Sequence, residues 1–301
     1  MSYILFLLIC VLWGSNFMLM KQASLAFSGV EIAFGRVVGG ALVLGLFWWL
    51  QGGRWRIRKA DWLPLALVIA IGYAWPYTIQ PIMVSRHGGA LVGMSVSFVP
   101  LATVILSIPF LGVYPTQRQV CGVLGALVFL IGILIDSHQR AVPLLDIMLA
   151  GSVPLGYAMA NICIRRKLSH ISSLDLSFLA LVWTTVCLIP PLCYDMSPAP
   201  PAGNGIVWPV IAIIVLGFIG TGVANWMFNR LLQDEGPLFA GMVTNLVPLG
   251  AVLWGWADSE HVSAVQWVCL MGTMFMVGLV QYGSAKSTMI VPRPAIASES
   301  A

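Results

Sequence analysis

The sequence predicts an all-α integral membrane protein of ten transmembrane helices, arranged as two inverted five-helix repeats. Three observations lead to this fold class: an apolar composition, a series of long apolar segments, and a phrase that occurs twice. Of the 301 residues, 59% are hydrophobic and 9% are charged, and the mean hydropathy is +0.92. Soluble domains carry about 25% charged residues, so this chain has too few polar side chains to cover a globule in water. It is therefore expected to be solvated by lipid.

The apolar segments are each about 20 residues long, which is enough to cross the hydrocarbon core of a bilayer. Numbered as spans 1 to 10, they cover residues 3–20, 32–50, 62–84, 89–111, 119–136, 144–164, 174–194, 206–229, 237–257 and 262–283. The connections are short, so no soluble domain is expected. The first segment has no basic region before it, which favours a retained span over a cleaved signal peptide.

The distribution of basic residues predicts the orientation of the spans, because cytoplasmic loops are enriched in Lys and Arg. With a cytoplasmic N-terminus, eleven basic residues lie in the inner loops and the tail and three in the outer loops. The inner set is Arg54, Arg56, Arg58, Lys59, Arg118, Arg165, Arg166, Lys167, Arg230, Lys286 and Arg293, and the outer set is Lys21, Arg86 and Arg140. We expect a multi-pass protein of the bacterial inner (plasma) membrane with both termini cytoplasmic. The net charge of +4 then reflects topology, and nucleic-acid binding is not indicated.

The repeated phrase is GMSVSFVPLATVI at 93–105, which returns as GMVTNLVPLGAVL at 241–253, 148 residues later, with six of thirteen positions identical. The same shift aligns three other pairs, Gly72 with Gly220, Gly88 with Gly236 and Cys121 with Cys269. Each half contains five crossings, an odd number, so the second half begins on the opposite side of the membrane. The predicted units are a first repeat at 1–140, an inverted second repeat at 141–285 and a disordered cytoplasmic tail at 286–301. Inverted halves of this kind open a shared central cavity first to one side and then to the other.

Several phrases together resemble a known family. These are VLWGSNFMLMK at Val11–Lys21, the arginine of IAFGRVVGGALVL (Arg36) and the paired VPL phrases. Over roughly residues 3–283 the chain resembles the drug/metabolite transporter superfamily, and most of all its EamA-type branch of ten-span proteins. The resemblance implies a transporter that exports amino acids, other small metabolites or toxic compounds. One departure is that the second half of such proteins often carries a Trp-Ala pair in span 6, where this chain has Tyr157-Ala158.

Polar side chains inside a span are costly unless they face other helices, water or a ligand. In span 1, one interpretation places Trp13 and Asn16 at a cavity wall. The other makes Gly14 and Ser15 a close helix contact and Asn16 an interhelical hydrogen bond. In span 3, Tyr73, Tyr77 and Gln80 follow at i, i+4 and i+7 and share one helical face. The stripe either lines a cavity or packs in the protein interior. A cavity of this kind suits a flat amphipathic solute, because the rings stack and the hydroxyls donate hydrogen bonds.

The second half supplies a matching set of candidate substrate-binding residues. Asn225 and Asn229 of span 8 share a face, and two amides without a charge either bind a zwitterion or an amide, or form a ladder between helices. In span 6, Tyr157 and Asn161 at i and i+4 extend the predicted ring of polar and aromatic groups.

Prolines within the spans are the candidate hinges. The 148-residue shift aligns Ser97 with Asn245 and Pro100 with Pro248, and proline bends a helix. We expect Ser97 and Asn245 to face the cavity and the two prolines to act as paired kinks. In span 3, Pro76 lies on the same stripe as the tyrosines and is a third candidate hinge.

Arg36 is the basic residue that lies clearly inside a span. It either binds a substrate carboxylate or braces span 2 against its neighbours. All eleven acidic residues fall in loops or at span ends, whereas proton-coupled carriers place acidic residues or histidines at membrane depth. Uniport, exchange or coupling through the charge of the substrate is therefore favoured over a buried carboxylate relay.

These features predict a secondary transporter that moves a small organic metabolite, an amino acid or derivative including aromatic ones, by alternating access. Export is implied by the family resemblance. A multidrug or metal-chelating metabolite exporter is the alternative, and a channel or a membrane-embedded enzyme is the rival from another class. The sequence holds neither a phosphate-binding G-x-x-x-x-G-K-[ST] motif nor H-E-x-x-H, so no nucleotide, metal or other cofactor is expected. The expected partners are the substrate and the lipid bilayer, and the chain is expected to be a monomer or homodimer.

The inverted arrangement predicts that Pro115, before span 5, and Ser263, at the start of span 10, lie on opposite sides of the membrane. Single cysteines at these positions, in a background without the six native cysteines, should react with an impermeant maleimide from opposite sides. Labelling of both positions from one side contradicts the inverted arrangement.

Overall fold

The fold is described by a computed structural model for residues 2–53, 57–112, 114, 116–139, 142–195, 205–235, 237–260 and 262–281. Within these ranges the regular structure is all helical. Seven helices in the described part are long and apolar enough to cross a membrane: Tyr3–Ala23, Gly29–Leu50, Lys59–His87, Gly89–Phe110, Leu144–Lys167, Ser173–Tyr194 and Val207–Glu235. Shorter apolar helices, Gln117–Ile133, Met242–Ala257 and Ala264–Val280, occupy the positions of spans 5, 9 and 10.

The α-helices are numbered in chain order. They are α1 Ser2–Ala23, α2 Gly29–Leu50, α3 Trp62–Leu67, α4 Trp75–His87, α5 Gly89–Ser95, α6 Val99–Leu111, α7 Gln117–Gln139, α8 Leu144–Lys167, α9 Ser173–Tyr194, α10 Val207–Val215, α11 Ala224–Glu235, α12 Pro237–Ala257 and α13 Ala264–Gln281. Two π-helical segments, Val68–Ala74 and Leu216–Val223, join α3 to α4 and α10 to α11, and a 3₁₀ turn at Val96–Phe98 joins α5 to α6.

The first π-helical segment ends at Ala74, two residues before Pro76. Proline has no N–H, and its ring clashes with the carbonyl of residue i−4, so a regular α-helix is not favoured there. A π-helical turn is wider and accommodates this local mismatch. The polar stripe of span 3 therefore begins inside a widened turn, which contains Tyr73.

The second π-helical segment is rich in glycine and packs closely on α2. Gly217 lies against Gly39, and Gly222 lies against Gly40, with separations too small for a side chain on either helix. Small residues let two helix backbones approach closely inside a membrane. The position of α2 beside the second half of the chain is set by this contact.

Helices from the two halves also pair with opposite chain direction. Along the contact of α7 with α13, Gly122 lies against Val280 while Gly132, later in the chain, lies against Cys269. Along the contact of α5 with α12, Ala90 lies against Gly255 and Gly93 against Ala251. In both contacts the residue number rises on one helix as it falls on the other, so the paired helices are antiparallel.

The first turn of α5 is capped by a carboxylate from the other half of the chain. Glu260 accepts hydrogen bonds from the backbone N–H groups of Gly89, at 2.8 Å, and Ala90, at 2.9 Å. A carboxylate at this position is favourable because the first N–H groups of a helix lack intrahelical partners and carry partial positive charge. Lys21, at the end of α1, binds both Glu260 at 3.1 Å and Asp258 at 2.7 Å. This group of four contacts ties α1, α5 and the end of α12 together.

The crossing of α1 and α12 gives a test of the packing. A Cβ added to Gly14 would lie 3.1 Å from the Cα of Gly250, a backbone atom that cannot rotate away. Gly14→Leu is expected to lower the free energy of unfolding by about 1–3 kcal/mol through overpacking. The matched control is Gly151→Leu on exposed α8 surface, where nothing lies within 4 Å, and helix propensity there favours leucine by up to about 1 kcal/mol. Thermal unfolding of both variants in detergent measures the difference, and equal midpoints contradict the close crossing.

Candidate functional site

A cavity of about 70 Å³ lies between α1, α2, α4, α8, α11 and α12. Its described wall combines apolar side chains with aromatic rings, amide side chains and one guanidinium. Ten of the residues predicted from the sequence line it: Trp13, Asn16, Arg36, Tyr73, Tyr77, Gln80, Tyr157, Asn161, Asn225 and Asn229. A concave, mostly apolar site with a few polar groups is typical of small-molecule binding.

Two hydrogen bonds join the tyrosine stripe to the asparagine pair. The Nδ2 of Asn225 donates to the Tyr77 hydroxyl at 2.6 Å, and the Nδ2 of Asn229 donates to the Tyr73 hydroxyl at 3.0 Å. Asn229 also donates to Ser177 Oγ on α9, at 2.7 Å. The earlier tyrosine meets the later asparagine, so the two segments cross the cavity wall with opposite chain direction. Asn225 and Asn229 therefore both join helices and line the cavity.

The wall also includes residues of α8. The Tyr157 hydroxyl donates to Gln80 Oε1 at 3.2 Å, which joins α8 to α4. The rings of Tyr73 and Tyr77 meet edge to face, with centroids 5.6 Å apart, and Trp13 packs on Phe228 at 4.7 Å. The aromatic part of the wall therefore includes two ring pairs in contact, and aromatic pairs prefer such tilted and edge-to-face arrangements.

Asn16 combines a structural contact with a free acceptor. Its Nδ2 donates to the backbone carbonyl of Gly220 at 3.1 Å, inside the second π-helical segment. Within the described part of the chain its Oδ1 is buried without a hydrogen-bond partner. A buried unpaired acceptor costs about 1–3 kcal/mol. The oxygen lies against Gly220, where an added Cβ would stand 2.0 Å from it.

Arg36 enters the cavity wall from α2 and is 3% exposed. Its Nε donates to Thr221 Oγ1 at 3.1 Å, and its Nη1 lies 3.4 Å from Met20 Sδ. The guanidinium carbon stands 4.4 Å from the centroid of the Tyr77 ring, a cation–π contact. Glu31, five positions earlier, instead caps the start of α2 through Ser28. The cation therefore rests on neutral groups.

The remaining predicted residues have other positions. Ser97 donates to the carbonyl of Met94 at 2.7 Å and is 1% exposed, and the preceding residue, Val96, lines the cavity. The side chain of Asn245 lies outside the described residues, and Thr244 lines the cavity beside it. The 148-residue shift aligns Val96 with Thr244. The aligned pair that lines the cavity is therefore one position before the expected pair, Ser97 and Asn245.

The three candidate hinges differ in their local structure. Pro76 follows a π-helical segment, and Pro100 follows the 3₁₀ turn at Val96–Phe98. At Pro248, α12 continues as an α-helix. The interruption in span 4 therefore has no counterpart of the same type in span 9, and the hinge role of these prolines stays a prediction.

The model of the EamA-like transporter family matches residues 1–135 and again residues 145–282. The chain belongs to the EamA-like transporter family. It is therefore a multi-pass membrane transporter of the drug/metabolite type. A solved structure titled "Crystal structure of protein" has the same fold, with a TM-score of 0.68 and 14% sequence identity over 95% of this chain and 98% of that one. No curated protein matches the sequence.

Part of the cavity wall of this EamA-like transporter was not predicted from the sequence. The additional lining residues are Phe17, Met20, Gly72, Val96, Ala160, Ile164, Phe228, Thr244 and Val247. Most are apolar, and an apolar side chain in a membrane span carries no signal that separates cavity from lipid. Two of these residues could have been predicted from their positions. Met20 follows Asn16 by one helical turn, and the 148-residue shift aligns Phe228 with Gln80.

The crossed tyrosine and asparagine pairs predict a measurable coupling. We expect Tyr77→Phe and Asn225→Ala to show a coupling free energy of about 1 kcal/mol in a double-mutant cycle, since each removes the same hydrogen bond. The control cycle combines Tyr73→Phe with Asn225→Ala, because these two side chains bond to different partners, and its coupling should be much smaller. Thermal unfolding of the EamA-like transporter in detergent provides both values. Equal coupling in the two cycles contradicts the assigned pairs.

Proposed function

We propose that this chain is a secondary transporter that exports a small organic metabolite, an amino acid or derivative including aromatic ones, by alternating access. Its proposed location is the bacterial inner membrane, with both termini cytoplasmic, which the basic residues of the loops support. The observation that carries the proposal is the central cavity, whose wall is formed by both halves of the chain.

Equivalent positions of the two halves contribute to that wall. Among the described lining residues, five pairs are separated by 148 positions: Trp13 and Asn161, Asn16 and Ile164, Tyr77 and Asn225, Gln80 and Phe228, and Val96 and Thr244. The two π-helical segments begin at Val68 and Leu216, which the same shift aligns. This correspondence supports two repeats, at 1–140 and 141–285, with five spans in each.

The antiparallel contacts support an inverted relation between these repeats. In a two-fold relation with an axis in the membrane plane, equivalent helices that meet at the axis have opposite chain direction. The pairs α7 with α13 and α5 with α12 have this geometry. Tyr77 and Asn225, which are equivalent in the two repeats, touch each other, as residues beside such an axis do.

The contacts at the helix ends support alternating access. In the proposed orientation, Lys21, Glu260 and Asp258 lie at the outer face and tie α1, α5 and α12 together there. At the inner face, Arg166 donates to the backbone carbonyl of Phe110 and Arg165 donates to that of Gln233 at 2.9 Å. Both arginines are exposed and bond to backbone carbonyls, whereas the outer lysine pairs with two partly buried carboxylates. The inner face also holds an ion pair between Asp61 and His170 at 2.9 Å. A carrier that opens one end at a time needs contacts of different strength at its two ends in any one state.

Exchange of labelled solutes from a metabolite extract tests the proposed function on many candidate substrates at once. Proteoliposomes that contain the protein are loaded with an unlabelled bacterial metabolite extract and placed in the same extract labelled uniformly with ¹³C. We expect one or a few ¹³C solutes to enter by saturable counter-exchange, read by mass spectrometry. No entry above protein-free liposomes contradicts a transporter of metabolites, and entry without acceleration by internal solute indicates a channel.

Variants of the crossed pair connect that activity to the cavity. Tyr77→Ala and Asn225→Ala should each lower exchange about tenfold, the expected effect of removing one hydrogen-bonding group. Expression and membrane insertion should stay near normal. The control is Tyr114→Ala, whose side chain is 79% exposed. Unchanged exchange in both cavity variants removes these residues from the proposed site.

A further inference from the structure

The charge in the described cavity wall is positive. Arg36 is the charged residue in its wall among the described lining residues, and the other polar groups there are amides and hydroxyls. The guanidinium contacts Thr221, Met20 and the ring of Tyr77, and no described salt bridge includes it. A buried cation at membrane depth is costly without a counter-charge.

The acidic residues of the chain are placed elsewhere. Of the eleven, all but Glu299 fall within the described residues. Asp258 and Glu260 bind Lys21, Asp146 binds Arg86 and Asp61 binds His170. The others are at helix ends: Glu31, Asp136, Asp175, Asp195, Asp234 and Glu235. The chain therefore supplies no carboxylate to Arg36 from its described part.

We propose that Arg36 receives the carboxylate of the transported solute, so that the substrate class is organic monocarboxylic acids, amino acids included. A guanidinium presents paired N–H groups that match the two oxygens of a carboxylate. This inference rests on the proposed function and specifies the chemistry of its cavity.

The remaining wall fits the rest of such a molecule. The rings of Tyr73, Tyr77 and Tyr157 offer an apolar surface to the organic body. The side-chain amide of Asn161, which lines the cavity, can accept a hydrogen bond from an amino or hydroxyl group. An organic cation meets the like charge of Arg36 and no carboxylate from the lining residues, so the site disfavours that class.

The single positive charge also separates carboxylates from phosphate esters. A phosphate monoester carries nearly two negative charges at neutral pH, and its binding needs more than one cation to balance them. The described wall has one. A monocarboxylate is matched by Arg36 alone.

The labelled-extract exchange tests this class together with two variants. We expect the ¹³C solutes that enter to carry a carboxylate, and Arg36→Gln to lower their exchange at least about tenfold, because a hydrogen-bonded charge pair is lost. Arg36→Lys, which keeps the charge but not the paired geometry, should keep more activity than Arg36→Gln. The control is Arg230→Gln, at a residue whose ion pair with Asp234 lies on the surface of one helix.

The outcomes separate this inference from the proposed function. Exchange limited to amines, neutral solutes or phosphate esters overturns the monocarboxylate assignment and leaves the transporter intact. Exchange of a carboxylate that is unchanged in Arg36→Gln overturns the role of Arg36. The absence of any exchange overturns the proposed function itself and this inference with it.

The thermal stability of the solute-free protein distinguishes a substrate-binding role of Arg36 from a role in bracing α2. If Arg36 serves the substrate, then Arg36→Met removes an uncompensated buried charge, and the thermal midpoint in detergent should equal or exceed that of the wild type. If Arg36 braces α2 through Thr221, the midpoint should fall. A lower midpoint for Arg36→Met overturns the proposal.

Discussion

The hydrogen bond between Tyr77 and Asn225 is the contact on which the arrangement of the cavity depends. It joins α4 to α11 at membrane depth, where polar groups must be satisfied inside the protein. Its companion, from Asn229 to Tyr73, fixes the relative direction of the two segments as well as their distance. Two hydrogen bonds one helical turn apart resist both sliding and rotation. The aromatic wall and the site of Arg36 are built around this crossing, because Tyr77 contributes to both.

Much of the site was predictable because it consists of polar side chains inside apolar helices. Tyr73, Tyr77 and Gln80 had to face protein or a cavity, and helical spacing placed them on one face. The 148-residue shift then pointed to Asn225. The sequence could not place Ser97, because a serine hydroxyl can bond a carbonyl of its own helix, as it does here to Met94. Such a residue needs no cavity.

The helix irregularities were the least predictable part of the fold. The proline at 76 indicated a disturbance in span 3, but not that the chain widens into a π-helical turn before it. In span 8 the corresponding π-helical segment has no proline. In this segment Gly217 instead packs closely on Gly39. That packing is a tertiary contact between residues 178 positions apart in sequence (217 − 39), which local pattern does not encode. The first widened turn carries Tyr73 of the cavity wall, and the second carries the Gly220 carbonyl that binds Asn16.

Arg36 connects the structure of the cavity with the energetics of the proposed transport cycle. On insertion scales an arginine at the centre of a membrane helix costs roughly 2.5–3.5 kcal/mol, and a cation–π contact offsets about 0.5–2 kcal/mol of this. In the proposed cycle, a bound carboxylate would lower the remaining cost in whichever state holds it. A carrier without solute would reorient with its charge uncompensated, so its slow step would be the return of the empty form. Exchange of one carboxylate for another avoids that step. The charge of the substrate would then couple transport in a cavity whose described wall holds no acidic residue.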